Sequence, residues 1–86
     1  MKHTRKLILM NGRWYEDGKS KSICIAAHSK ADAIRMLSAF SGNDRGWRYE
    51  INNYFSQCWG NNMEGIKPER GMWIVDDYDA TPRKVW

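Results

Sequence analysis

The chain holds little of what catalysis, metal binding or membrane anchoring requires. Its two cysteines, Cys24 and Cys58, lie apart in apolar surroundings. They are expected as small core residues in a reducing cytoplasm rather than as a disulfide framework. Its two histidines, His3 and His28, are equally isolated, and no C-x-x-C or H-x-x-x-H pair appears. Structural zinc sites nearly always carry such pairs, so no metal or other cofactor is expected. No glycine-rich phosphate loop, nucleophile elbow or dinucleotide fingerprint occurs. The longest apolar runs are Leu7 to Met10 and Ile23 to Ala27. Both fall far short of the roughly 20 residues a membrane span needs, and no stretch reads as a signal peptide.

Acidic dominance is absent too. The chain carries 14 Lys and Arg against 10 Asp and Glu, a net charge of +4. Residues 1 to 43 hold eight basic and three acidic residues, whereas residues 44 to 86 hold six and seven. Positive charge therefore belongs to the N-terminal half, which suits an acidic partner and excludes a nucleic-acid mimic.

Aromatic residues are plentiful. Five Trp, four Tyr and two Phe stand in 86 residues, a length that makes one domain with a small core. Eleven rings exceed what such a core takes, and Trp and Tyr are enriched where proteins meet partners.

The clearest local signals lie between Ile23 and Phe40. Ile23 to Ala27 has the length and apolarity of a strand. Ser29 with Asp32 three positions later reads as a helix N-terminus, the Ser oxygen taking an orphan N–H and the carboxylate reaching back. Ala33, Ile34, Leu37 and Phe40 then share one helical face, and Gly42 supplies a left-handed stop.

Before that unit, Arg5 to Met10 reads as a strand. Asn11-Gly12 offers a tight hairpin turn, with Arg13 to Glu16 as the returning strand and Asp17-Gly18 as a second turn. Two arrangements fit: a three-stranded meander, or one hairpin of 5–10 against 21–27 with a structured loop between. Further on, Trp47, Ile51, Tyr54, Phe55 and Cys58 fall on one helical face. They predict a second helix within 43–59, although Trp47, Tyr49 and Ile51 also alternate as a strand would. Gly60 to Gly71 is broken by Asn, Gly and Pro and reads as a loop. Met72 to Asp77, apolar on both faces, predicts a strand inside the sheet. The ends, 1–4 and 80–86, are expected to be flexible.

The expected fold is α+β: a small antiparallel sheet, made of the N-terminal hairpin or meander plus the C-terminal strand, covered on one face by one or two helices.

Single residues offer little chemistry. His28 beside the helix cap could act as an acid or base, but it has no positioned partner and packs equally well over the first turn. Asp76, Asp77 and Asp79 could hold Mg²⁺ as in a minimal nuclease. Alternation, however, turns Asp76 and Asp77 to opposite faces, and a solvated strand end accounts for them. A surface is the better prospect. Arg5, Arg13, Lys19, Lys21, Lys30 and Arg35, with Trp14 and Tyr15 among them, predict a basic aromatic face. Such a face can stack single-stranded DNA or RNA bases, or dock on an acidic protein; a merely solvated face is the plain alternative. Asn61, Asn62, Met63, Glu64, Ile66 and Trp73 form a second candidate along the loop.

In layout the chain resembles small bacteriophage-encoded inhibitors of host machinery, such as anti-CRISPR proteins and RNA polymerase inhibitors. The basic start, the turn at Asn11-Gly12 and the strand running into the helix capped at Ser29 carry that resemblance over the first half of the chain. It implies a non-enzymatic protein that binds a host protein or nucleoprotein complex in the host cytoplasm, as a monomer or small homo-oligomer. It transfers no functional residue.

Overall fold

A computed structural model describes residues 6–43, 46–77 and 80–86. Strand β1 (Ile8–Glu16) and strand β2 (Lys19–Ala27) form one long hairpin, followed directly by helix α1 (Lys30–Ser41). A short helix α2 (Trp47–Asn53), a 3₁₀ turn (Asn61–Met63), strand β3 (Gly71–Val75) and strand β4 (Arg83–Lys84) complete the order. The sheet runs β1-β2-β3-β4 with every neighbour antiparallel. This is the expected α+β architecture, with β3 inside the sheet.

The hairpin turns at Asp17-Gly18, not at Asn11-Gly12. Asp17 and Gly18 hold φ of 53° and 75°, the left-handed pair that a two-residue hairpin turn demands. Asn11 and Gly12 instead lie within β1, opposite Cys24 and Ile23. Gly12 is small for a different reason. A Cβ there would sit 2.3 Å from the Phe55 ring, which lies across the strand at that point. Neither the meander nor the shorter hairpin therefore forms.

Helix α1 follows its sequence signals closely. The Ser29 hydroxyl accepts the Asp32 N–H at 3.0 Å, and Gly42 closes the helix at φ 79° by donating its N–H to the Ser38 carbonyl. The Asp32 carboxylate reaches back one residue further than expected and accepts the His28 N–H at 3.0 Å. Helix α2 is shorter than predicted. It ends at Asn53, Tyr54 caps it, and the chain then runs alongside β1. Of the five residues placed on its apolar face, Ile51 and Phe55 are buried, whereas Tyr54 and Cys58 are exposed.

Strand alternation divides the core into two layers. On one face Met10, Ile23, Ile25, Met72 and Ile74 pack beneath Ala33, Met36 and Leu37 of α1 and Ile51 of α2. On the other, Cys24, Ala26, Trp73 and Val75 pack under Met63, with Leu7, Leu9, Trp59 and Ile66 partly buried around them. Cover on this second face comes from the irregular segment around 59–66 and was not foreseen. Two polar ties hold it down. Trp59 Nε1 donates to the Ile25 carbonyl at 3.0 Å, and Arg70 forks onto Asp32 with bonds of 2.9 and 2.7 Å. Burial and the Arg70 fork make the Asp32–Arg70 pair the main charged link between loop and helix. The Arg70 guanidinium holds the Asp32 carboxyl well below the usual carboxylate range.

The C-terminal tail contributes β4 rather than hanging free of the sheet. Arg83 and Lys84 pair with Ile74 and Trp73, and the Val85 N–H donates to the Met72 carbonyl at 2.9 Å. The other end expected to be flexible, 1–4, lies outside the described residues, as do Arg5 and Asp79.

Candidate functional site

The predicted basic aromatic face does not assemble as one surface. Trp14 lies on the helix side of β1, because an unbroken strand from Ile8 to Glu16 gives it the same parity as Met10. Its ring stacks on Trp47 at 5.8 Å and tilts against Phe40 at 5.2 Å. Lys21 is drawn into an ion-pair network at the hairpin end of the sheet. It bonds Glu16 and Asp76 at 2.9 Å each, while Arg83 bonds Glu16 at 2.7 Å and Asp76 at 2.6 Å. Two cations facing two carboxylates leave no net charge there. Lys21 holds the Glu16 carboxyl below its ordinary range, and Arg83 does the same for Asp76. Lys30 donates to the Asn52 side chain at 3.3 Å, and Arg35 stands 3.7 Å from Asp32. Lys19 is exposed beside the turn.

The loop candidates divide as well. Met63 and Trp73 are buried and Ile66 is partly buried under the loop, so these three pack the second core layer. Asn61, Asn62 and Glu64 are exposed. Cys24 is buried between β2 and the loop, and desolvation pushes its thiol up to about 11, so it stays protonated and unreactive. His28 is half-buried, with Nδ1 enclosed and lacking a hydrogen-bond partner. Among the described residues, no group of three or more His, Cys, Asp or Glu could hold a metal ion, and no helix is long and apolar enough to cross a membrane.

A concave site forms on the loop side of the sheet where the loop stops short of the hairpin end. It is a groove of about 820 Å³. Its floor is the row Arg13, Ser22 and Val75 across three strands, with Tyr15 and Ser20 paired beside it. Asn62 stands at the loop end, Asp76 and Asp77 at the end of β3, and Glu50 and Tyr54 beyond the outer edge of β1.

Two of the most exposed large side chains flank this groove, Tyr15 at 67% and Tyr54 at 65%. Tyr54 also meets Tyr49 edge-on at 5.8 Å. The Tyr15 side chain raises the Arg13 pKa through hydrogen bonding, and among the described residues no carboxylate pairs with Arg13. Of the sequence candidates, Arg13, Tyr15 and Asn62 are thus brought together, while Lys21 borders the groove with its ammonium on the helix side of the sheet, held by Glu16 and Asp76. Tyr54, Ser20, Ser22 and Glu50 were missed. Tyr54 was hidden because helical spacing assigned it to a buried face, and the serines because small polar residues between turns carry no periodic signal.

The backbone of β1 adds a second feature. Asn11 turns its N–H and C=O outward, bonding Ser56 in both directions at 3.0 and 2.8 Å, and its side-chain amide donates to the Cys58 carbonyl. By strand alternation, Arg13 and Tyr15 turn their N–H and C=O the same way. No described residue pairs with them on that side.

Comparison with known proteins returns no matching family model, no matching curated protein and no matching solved structure.

Proposed function

We propose that this chain is a non-enzymatic binding protein that docks on a protein partner through the Tyr15–Tyr54 groove. The observation that carries this reading is the pairing of two largely exposed tyrosines with an arginine that has no carboxylate partner among the described residues, around a concavity on a small sheet. Tyr and Arg are the residues that most often anchor interfaces, because they bring large contact area with polar ends. A host nucleic-acid-processing complex is the partner class that the layout of the chain suggests, and the effect on it is inhibition or modulation.

A protein partner suits the groove better than a bare nucleic-acid strand. Arg13 and Lys21 share the lining with Glu50, Asp76 and Asp77, and Lys21 is already neutralised by Glu16 and Asp76. Arg13 is then the one cation of the lining without a carboxylate partner among the described residues, enough for a single carboxylate but not for the track of positive charge that a row of phosphates needs.

Affinity capture from host lysate, repeated after nuclease treatment, tests the proposal. The expected result is a stoichiometric protein retained in both cases and lost with Tyr15→Ala plus Tyr54→Ala. Recovery that vanishes on nuclease treatment, or no recovered protein, overturns it.

A further inference from the structure

Resting on the docking reading above, we infer that the groove receives its partner as an added β-strand: an extended peptide segment bearing a carboxylate pairs with the open edge of β1 at Arg13 and Tyr15. The edge is already used in this manner by the chain itself. Ser56 exchanges two backbone bonds with Asn11 in antiparallel sense. Continued along β1, that pairing would bring residues 55 and 54 opposite 12 and 13. The chain leaves instead, with Phe55 folding over Gly12 and Tyr54 closing α2. The next two outward-facing backbone positions, Arg13 and Tyr15, are left unpaired by any described residue, at the end of a strand that is otherwise well held.

An unpaired edge is ordinarily blunted by covering, bulging or shortening. Here the hairpin turn limits its length, but the groove keeps it accessible between Tyr15 and Tyr54. Strand addition fits these parts: main-chain bonds supply affinity, and alternate side chains enter flanking pockets. Charge sets the occupant's chemistry. Arg13 is exposed and has no carboxylate partner among the described residues, so an Asp or Glu on the incoming segment, on the same face as Arg13, completes its ion pair. A second copy of this chain fits less well. Symmetric pairing across the open stretch would place Arg13 near a second Arg13 and supply no carboxylate from either strand at that point.

The test pans a pool of random linear peptides against the full chain. Enriched peptides are then titrated against parent and variants, with hydrogen exchange read at the Arg13 and Tyr15 amides. The expected peptides alternate β-branched or aromatic residues with others and carry Asp or Glu. Their binding slows exchange at both amides. Tyr15→Pro removes an outward N–H that the β1–β2 ladder does not use, and it weakens binding about tenfold, more than Tyr15→Phe, which keeps both the ring and the N–H. Should Tyr15→Pro fail to melt like the parent, Arg13→Glu decides the matter by losing the acidic peptides while keeping the fold. No enriched peptide, binding without slowed exchange at the two amides, or acidic peptides held equally by Arg13→Glu overturns strand addition. So does a concentration-dependent dimer that protects the same amides with no peptide present. Loss of lysate capture in the Tyr15→Ala, Tyr54→Ala double variant without amide protection in the complex leaves docking standing and strand addition refuted.

Discussion

The two faces of the sheet are built from the same strands, yet they carry different burdens. The helix face is closed by regular elements and filled with Ile, Leu and Met whose side chains are fully buried. The loop face is closed by an irregular segment over its Leu7–Leu9 half and left open over its Arg13–Tyr15 half. Alternation along β1 makes the division sharp: Met10 and Trp14 face one way, Arg13 and Tyr15 the other. Stability is concentrated on the first face, and the proposed docking site lies on the exposed half of the second.

The largest expected effect tests the helix face. Leu37→Ala, at a fully buried position, should cost about 2–5 kcal/mol, a large share of the roughly 5–15 kcal/mol typical of a domain. Met63→Ala on the loop face, also buried, should cost less, about 2 kcal/mol, because an irregular segment collapses onto a void more easily than a helix does. Urea denaturation of both variants measures the difference, and equal losses would break the asymmetry.

Gly12→Ala comes next. The added Cβ collides with the Phe55 ring, so overpacking should cost about 1–3 kcal/mol and loosen the Ser56 bonds to Asn11. Thermal melting together with exchange at the Asn11 amide would register both effects.

The tie between the faces gives a pH dependence. Arg70 and the His28 N–H hold the Asp32 carboxyl below its unfolded value of about 3.9. The stability this provides is therefore fully present above that value and is lost as pH falls through and below it. Arg70→Met should destabilise by about 1–3 kcal/mol at neutral pH and flatten the decline between about pH 4 and pH 2. An unchanged acid limb in melting curves would contradict this assignment.

Smallest in stability and decisive for the proposed docking are Tyr15→Ala and Tyr54→Ala. Both side chains are largely exposed, so each should change stability by no more than about 0.5 kcal/mol, in contrast to the losses above. Calorimetry on the single variants would show whether these rings hold the fold instead.

How much of this was legible in sequence follows from the range of each signal. Helix α1 was readable because its cap, period and stop are local. Strand β3 was readable because an apolar run on both faces needs cover on both. The hairpin was misplaced because Asn11-Gly12 and Asp17-Gly18 are equally good turns locally. What decides between them is Phe55, more than 40 residues away, lying on Gly12. That one displacement reversed the reading of Trp14, since an unbroken strand assigns it by parity to the core. The cover over the second face was unreadable because residues 59–66 have no period. Of the groove, Arg13 and Tyr15 were visible as an exposed basic-aromatic pair, while Tyr54 was concealed by its helical spacing.

Capture from lysate of the proposed host by the parent chain and by the Tyr15→Ala, Tyr54→Ala double variant, side by side after nuclease treatment, puts the proposed division of labour between the two faces to its most direct trial. The account predicts that the parent retains a stoichiometric protein, while the double variant, melting at the parent's temperature, retains none. The same protein bound equally by both chains would contradict it.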